Sequence, residues 1–376
     1  MKRILLFLAA LLIATPATAR DQWSKKEAAT WYANQPWLVG SNYTPATAIN
    51  QLEMWQAETF DPATIDKELG YAEGIGMNTM RVFLHNLVWE NDPEGFKRRI
   101  DTFLGIAAKH HIKPLFVLLD SCWDPNPVAG PQHPPIPGVH NSGWVQAPGA
   151  ARLKDASQYG KLESYVKGVV GAFANDSRIL GWDVWNEPNN GGGGNYMSTQ
   201  EKNKYVALLL PRVFDWARSV NPTQPLTSGV WIGDHWDDMS TLDAIEKTQV
   251  TQSDVITFHD YSWPETFERR ARQMMTYGRP VICTEFMARG NGSTFDGSLP
   301  IAKRLDIGMM NWGFVDGKTQ TRLPWDSWKK PYTSDEPPIW FHEVFRSDGT
   351  PYRQAETDLI KRLSAAPRGV VPANGL

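Results

Sequence analysis

Cysteine is almost missing: Cys122 and Cys283 are the only two in 376 residues. No disulfide framework can organise the chain, and a bond between the two is permitted without being required. Charge of one sign is missing as well. The formal net charge is −3, from 38 basic and 41 acidic residues without a block of like charge. That balance argues against nucleic acid and against an anionic membrane as partner, and it leaves neutral sugars or small molecules. Past the N-terminus no stretch approaches the ~18 consecutive apolar residues of a spanning helix. There is no internal repeat, and no Gly-rich nucleotide turn follows the first strand, where Gly40-Ser41-Asn42-Tyr43-Thr44 stands instead. Neither His110-His111 nor Gly233 to Asp238 carries a matching set of metal ligands, so both read as surface or loop networks. The sequence calls for no cofactor.

The N-terminal segment has Lys2 and Arg3, an apolar stretch from Ile4 to Ile13 and the small-residue pattern Ala17-Thr18-Ala19. This is the pattern of a secretory signal cut after Ala19. The expected organisation is therefore a signal peptide over 1–19, one domain over 20–366 and a loose tail over 367–376. The mature protein is expected to be secreted or periplasmic, free of the membrane and monomeric.

Hydrophobic residues make up 41% and charged residues 21% of the chain, enough for one large core. Tryptophan is abundant, 17 in all, often beside Gly, Pro, Asn or Asp. Indole faces stack well on sugar rings, although core packing accounts for part of the set. Trp182 and Trp185 read as core. Trp325, Trp328 and Trp340 read equally as sugar platforms or as loop packing.

Short β-branched and aromatic runs alternate with helical patterns. Strands are expected at Trp37–Tyr43, Thr79–His85, Lys113–Asp120, Ile179–Glu187, Leu226–Trp231, Val255–Tyr261, Pro280–Glu285 and Ile307–Phe314. Asp61-Pro62 reads as an N-cap followed by a first-turn proline, with Gly74 and Gly76 closing that helix. Further helices are expected at Phe96–His110, Ser157–Ala174, Thr199–Ser219, Met239–Lys247, Pro264–Tyr277, Pro300–Leu305 and Ala355–Leu363. Eight strands, each followed by a helix, predict an α/β fold of the (β/α)8 TIM-barrel type, against the alternative of an open doubly wound sheet. Segments leaving the strands are long and those entering them are short, which places a site at the strands' C-terminal ends.

The residues at those ends are Arg81, Asp120, Asn186 with Glu187, Trp231, His259 with Tyr261, Glu285, and Asn311 with Trp312. Strands four and seven face each other across such a barrel, so Glu187 and Glu285 can flank one bond. A glycosidic bond is broken by that kind of pair, one acid and one carboxylate. Pro188 stops the fourth strand just where Asn186 and Glu187 are presented on a rigid element.

The motifs Trp185-Asn186-Glu187-Pro188, His259-Asp260-Tyr261, Thr284-Glu285-Phe286, Arg81-Val82-Phe83 and Asn311-Trp312-Gly313, in this order, resemble those of clan A glycoside hydrolases. The resemblance is nearest to the family 5 cellulases and mannanases. It implies Glu187 as general acid/base and Glu285 as nucleophile of a retaining hydrolase, with Asn186 on the sugar 2-hydroxyl. It further implies Tyr261 and Arg81 against Glu285, His259 bordering the site, and Trp312 beneath a sugar ring. Arg81 is expected to hold Glu285 ionised, and Glu187, among tryptophans and without a cation, to have a raised pKa. Where the family offers a His and an Asn or Trp on the third and fourth strand loops, this chain offers Asp120, Trp123, Asp124, His85 and Asn86. Trp123, Asp120 and Trp231 complete the expected substrate contacts. The expected substrate is a β-linked oligo- or polysaccharide of glucan, mannan or xylan type. The long Pro-rich third loop raises the alternative of an exo-acting β-mannosidase or β-glucosidase, and a non-catalytic carbohydrate-binding barrel is the alternative outside the enzymes.

Overall fold

The computed structural model describes residues 19–191 and 199–372. The expected signal segment up to residue 18 and the glycine run from residue 192 lie outside the described residues. Eight parallel strands, in the order β5-β4-β3-β2-β1-β8-β7-β6, form the barrel. They are β1 (Val39–Tyr43), β2 (Thr79–Phe83), β3 (Lys113–Val117), β4 (Gly181–Asp183), β5 (Leu226–Thr227), β6 (Ile256–His259), β7 (Val281–Phe286) and β8 (Gly308–Asn311). The ring closes between β5 and β6 through a parallel bridge of Val230 and Phe258. All eight expected strands are present; seven are shorter, and β7 keeps its length but is shifted by one residue. Their C-terminal ends leave the ladder to build the site; Asn186, for example, is held by an isolated bridge to Asp120.

One long helix follows each strand: α1 (Pro62–Gly74), α2 (Pro93–Lys109), α3 (Tyr159–Ala172), α4 (Thr199–Arg218), α5 (Ala244–Gln252), α6 (Pro264–Met275), α7 (Phe295–Leu305) and α8 (Gln354–Ala365). Asp61 caps α1 as expected, its carboxylate accepting from the Thr64 N–H, with Pro62 in the first turn. Three helix starts differ by three residues or more, and side-chain caps explain each. Asp92 and Pro93 repeat the same device and start α2 earlier than Phe96. Thr294 starts α7 at Phe295, placing Pro300 inside the helix instead of at its start. An Asp243–Glu246 capping box starts α5 later than Met239.

Strands buried on both faces read as continuous apolar runs, and this barrel departs from that by keeping charge inside. Arg81 and Asp183 are fully buried and joined at 2.7 Å. Removing one partner of such a pair costs about 3–5 kcal/mol, because the other charge is stranded. Trp182 and Trp185 are both wholly buried. Trp340 stacks on Tyr352 with ring centroids 4.7 Å apart and packs the loop after β8. The segment expected as a loose tail is fastened at its start: Arg368 donates to the carbonyls of Tyr32 and Gln35 and to the Asp306 carboxylate.

Candidate active site

A pocket of about 430 Å³ opens at the C-terminal ends of the strands. Its polar floor is Asn186, Glu187 and Glu285, and its walls are largely indole: Trp123, Trp231, Trp312, Trp325 and Trp328. An apolar pocket with a few convergent polar groups is the usual form of a small-molecule site.

Glu285 is set by β7. Its Oε1 accepts from Arg81 Nη1 at 2.7 Å and its Oε2 from the Tyr261 hydroxyl at 2.7 Å. Arg81 also donates to Asp183, to Asn42 and, at 2.7 Å, to the side-chain Oδ1 of Asn186, so a single guanidinium fixes two floor residues. The other side of the Asn186 amide donates to Asp120 Oδ1 at 2.8 Å. Asp120 in turn accepts from Trp144 Nε1 and Gln51 Nε2.

Glu187 follows β4 on backbone that L side chains rarely adopt, with φ of 41°. Such conformations cost roughly 1–3 kcal/mol and persist only where the surroundings enforce them. Here the Asn190 N–H closes a turn onto the Glu187 carbonyl at 2.8 Å. Lys202 of α4 binds the Asn190 and Ser121 carbonyls at 2.9 and 2.8 Å, tying that turn to the one after β3. The carboxylate itself accepts from Asn190 Nδ2 at 2.5 Å and from the Cys122 thiol at 3.2 Å on Oε2, and its Oε1 lies 2.7 Å from His259 Nδ1.

The electrostatics separate the two acids. Burial pushes Glu187 upward, with Asn190 and Cys122 pulling the other way. Glu285 is also pushed up by burial and by the charge of Glu187, against His259, Arg81 and Tyr261. Only Glu285 carries a guanidinium bond, which favours its ionised form. Glu187 is not without a cation, as the sequence implied, since Arg81 and Lys202 are both within its field. Burial lowers His259 to about 4, so the imidazole is neutral. Its Nε2 has no partner among the described residues, which fits Nδ1 carrying the hydrogen toward Glu187.

Of the expected site residues, Asn186, Glu187, Glu285, Tyr261, Trp123, Trp231 and Trp312 line the pocket. Arg81 and Asp120 do not. Both lie wholly behind the lining, because the buried Asp183 and the Asn186 amide hold them there; they position groups and do not meet a ligand. His259 likewise touches the carboxylates from behind. Among the other third- and fourth-loop candidates, His85 caps a short helix, Asn86 binds Glu90, and Asp124 accepts from Asn126. His110 is bracketed by Asp66 and Glu73 in a surface hydrogen-bond network. Cys122, Asn190, His140 and Lys202 were not foreseen as site residues. The spacing Asp120-x-Cys122 at a strand end was a signal for the first; the others arrive from turns and loops with no motif.

The chain matches the family model "Cellulase (glycosyl hydrolase family 5)" over residues 50–328. No curated protein matches it by sequence. Among solved structures it is similar to a GH5_18 protein from Streptomyces cattleya in complex with Manβ1-4GlcNAc, at TM-score 0.62 and 13% identity, covering 89% of this chain and 82% of that one. It is similar to the β-mannanase of the blue mussel Mytilus edulis, at TM-score 0.53 and 16% identity over 77% of this chain and 89% of that one. It is also similar to an exo-β-1,4-mannosidase from Opitutaceae bacterium strain TAV5, at TM-score 0.59 and 16% identity over 87% of this chain and 59% of that one. With a family match over most of its length on an eight-stranded barrel, the chain belongs to glycosyl hydrolase family 5 and is a glycoside hydrolase acting on β-glycans.

Proposed function

We propose that the protein is a secreted, retaining β-glycosidase that acts from a chain end, with Glu187 as acid/base and Glu285 as nucleophile. The observation that carries the mechanism is the closeness of the pair: one carboxylate oxygen of each lies within 4.8 Å of the other. Retaining enzymes hold their carboxyl groups about 5–5.5 Å apart, whereas inverting ones need roughly 6.5–9.5 Å to admit a water. In the first step Glu285 attacks the anomeric carbon while Glu187 gives its proton to the departing oxygen. In the second, Glu187 takes a proton from water as that water displaces Glu285. Arg81 and Tyr261 hold the nucleophile, Asn186 meets the 2-hydroxyl through its side-chain oxygen, which has a lone pair beyond the one Arg81 uses, and Trp312 supplies a stacking face.

Two loops support the exo reading over an open cleft. The loop after β3 and the loop after β8 are joined by a stack of Trp123 on Trp328, with centroids 5.1 Å apart and planes 14° apart. They are also joined by His140 N–H to Ser327 Oγ at 2.9 Å, Asn141 N–H to the Thr319 carbonyl at 2.8 Å and Tyr332 N–H to the Gly138 carbonyl at 2.9 Å. The clasp spans the β1 and β2 side of the mouth. We take the sealed end as the glycone end, with the leaving group departing past Asn190 and Trp231, which line the pocket with Glu187. The tight clasp leaves little path for a polymer running through. β-Mannosides are the first substrates to test, because the similar structures include a mannanase and an exo-mannosidase.

The test is hydrolysis of nitrophenyl β-mannoside, β-glucoside and β-linked oligosaccharides, with the first-formed anomer read by NMR. Monosaccharide released as the β-anomer is the expected result. Release of the α-anomer overturns retention, a ladder of oligosaccharides overturns exo action, and sugar binding without hydrolysis of any substrate points to the non-catalytic barrel.

A further inference from the structure

Glu187 must act once as an acid and once as a base, so whatever touches its carboxyl has to tolerate both forms. Its Oε2 faces the Cys122 sulfur at 3.2 Å. The same sulfur lies 3.4 Å from the Asn186 amide nitrogen and 3.4 Å from the Asn190 amide nitrogen. Cys122 lines the pocket and sits on the turn fixed by its own backbone N–H to Asp120 Oδ1 at 3.1 Å.

We propose that Cys122 is a positioning residue for the acid/base, its thiol hydrogen donated to Glu187 Oε2 when that carboxyl is ionised and turned away when it is protonated. The inference rests on the reading of Glu187 as acid/base. A thiol suits the task because it is at once a weak donor and a weak acceptor on one rotatable bond. The two asparagine amides point N–H groups at the sulfur, which leaves its own hydrogen for the carboxylate. Burial and the charges of Glu187 and Asp120 push the Cys122 thiol up, so it stays S–H and takes no part as a nucleophile. The other groups bearing on Glu187 are His259, Arg81, Glu285, Asp120 and Lys202. None of these contacts depends on the sulfur.

The experiment compares Cys122→Ala and Cys122→Ser with the wild type. The Glu187 carboxyl is titrated by carbon-13 NMR in glutamate-labelled protein, its signal assigned by its loss in Glu187→Gln, and kcat/KM on the best nitrophenyl glycoside is followed against pH. Alanine is expected to raise the proton affinity of Glu187 about three- to tenfold, as for loss of one weak donor to a charged group, and to move the alkaline limb upward by the same amount. Serine, which keeps a rotatable donor, is expected to stay within about twofold of wild type. If alanine does not fold, Cys122→Val fills the volume without a donor and takes its place. An unchanged Glu187 titration in the donor-free variant overturns the proposal. Because the NMR titration needs no turnover, a wild type that hydrolyses nothing defeats the hydrolase mechanism while the hydrogen bond is still judged on its own.

Discussion

The imidazole of His259 bridges the two acids: its Nδ1 is 2.7 Å from Glu187 Oε1 and 3.5 Å from Glu285 Oε2. A neutral ring at that position donates one hydrogen to one carboxyl and cannot serve both. It therefore favours Glu187 as the partner whose orientation is set from behind, while Glu285 is set by Arg81 and Tyr261.

That division predicts different losses from the two acids. Glu285→Gln removes the nucleophile and is expected to lower kcat roughly 10³–10⁶-fold with the thermal unfolding profile retained. Glu187→Ala is expected to lose about 10²–10⁴-fold on a glycoside with a poor leaving group. On a dinitrophenyl glycoside, whose leaving group needs no proton, bond cleavage should proceed at nearly the wild-type rate and a burst of phenol should appear. Equal losses on both substrates would remove Glu187 from the acid role.

Tyr261→Phe deletes one of the two strong hydrogen bonds to Glu285, the 2.7 Å contact to Oε2. The bond stabilises the ionised form, so its loss raises the pKa of Glu285. The nucleophile must be ionised, so the acid limb of kcat/KM is expected to move to higher pH while the alkaline limb stays. The rate at the optimum should fall about 10–100-fold, in keeping with one donor lost to a charged group. A shifted alkaline limb with a fixed acid limb would mean that Tyr261 serves Glu187.

Much of this site was legible because β-strand ends are rigid and ordered in sequence. Asn186, Glu187, His259, Tyr261, Glu285 and Trp312 stand at or just beyond such ends, Arg81 stands within β2, and the structure brings them together. What could not be read was depth. Arg81 and Asp120 read the same way in the sequence, but the buried Asp183 and the web of Trp144 and Gln51 draw them behind the lining. No local pattern encodes those long-range partners. Helix starts were missed where a polar residue several positions earlier or later offered a better cap, as Thr294 and Asp243 do. His140 and Lys202 reach the site from a loop and a helix face, where neither period nor motif marks them.

Glu343 makes the stability of the fold depend on pH without touching the chemistry. It is buried in the loop after β8 with Thr321 donating to Oε1 and Oε2 left without a partner among the described residues. Burial raises its pKa from 4.5 to about 8. The folded form holds the proton more tightly than the unfolded chain, so this contribution is complete below pH 4.5 and is lost as pH rises toward about 8. Each pH unit in that window is worth about 1.4 kcal/mol at most. Glu343→Gln, which cannot ionise, is expected to unfold at higher temperature than wild type at pH 8 and to show a flatter dependence of Tm on pH. Parallel Tm curves for the two proteins would mean that Glu343 titrates normally.

The clasp between the loops after β3 and β8 fixes product length if it is what closes the glycone end. Trp123 and Trp328 form its aromatic face, and Trp123 is held at φ of 63°, a conformation maintained only by its surroundings. Replacing both by alanine removes the stack, worth about 0.5–1.5 kcal/mol beyond the area it buries. It leaves the backbone bonds of Asn141 and Tyr332 in place, so the loops stay near each other while the wall between them thins. On a β-linked hexasaccharide the double variant is expected to release disaccharide along with monosaccharide. Its kcat/KM on an aryl monosaccharide should fall about tenfold, since that substrate depends on the lost platform. Chromatography of early products decides the matter: monosaccharide alone from the variant would place the barrier in the backbone contacts of the two loops and not in their tryptophans.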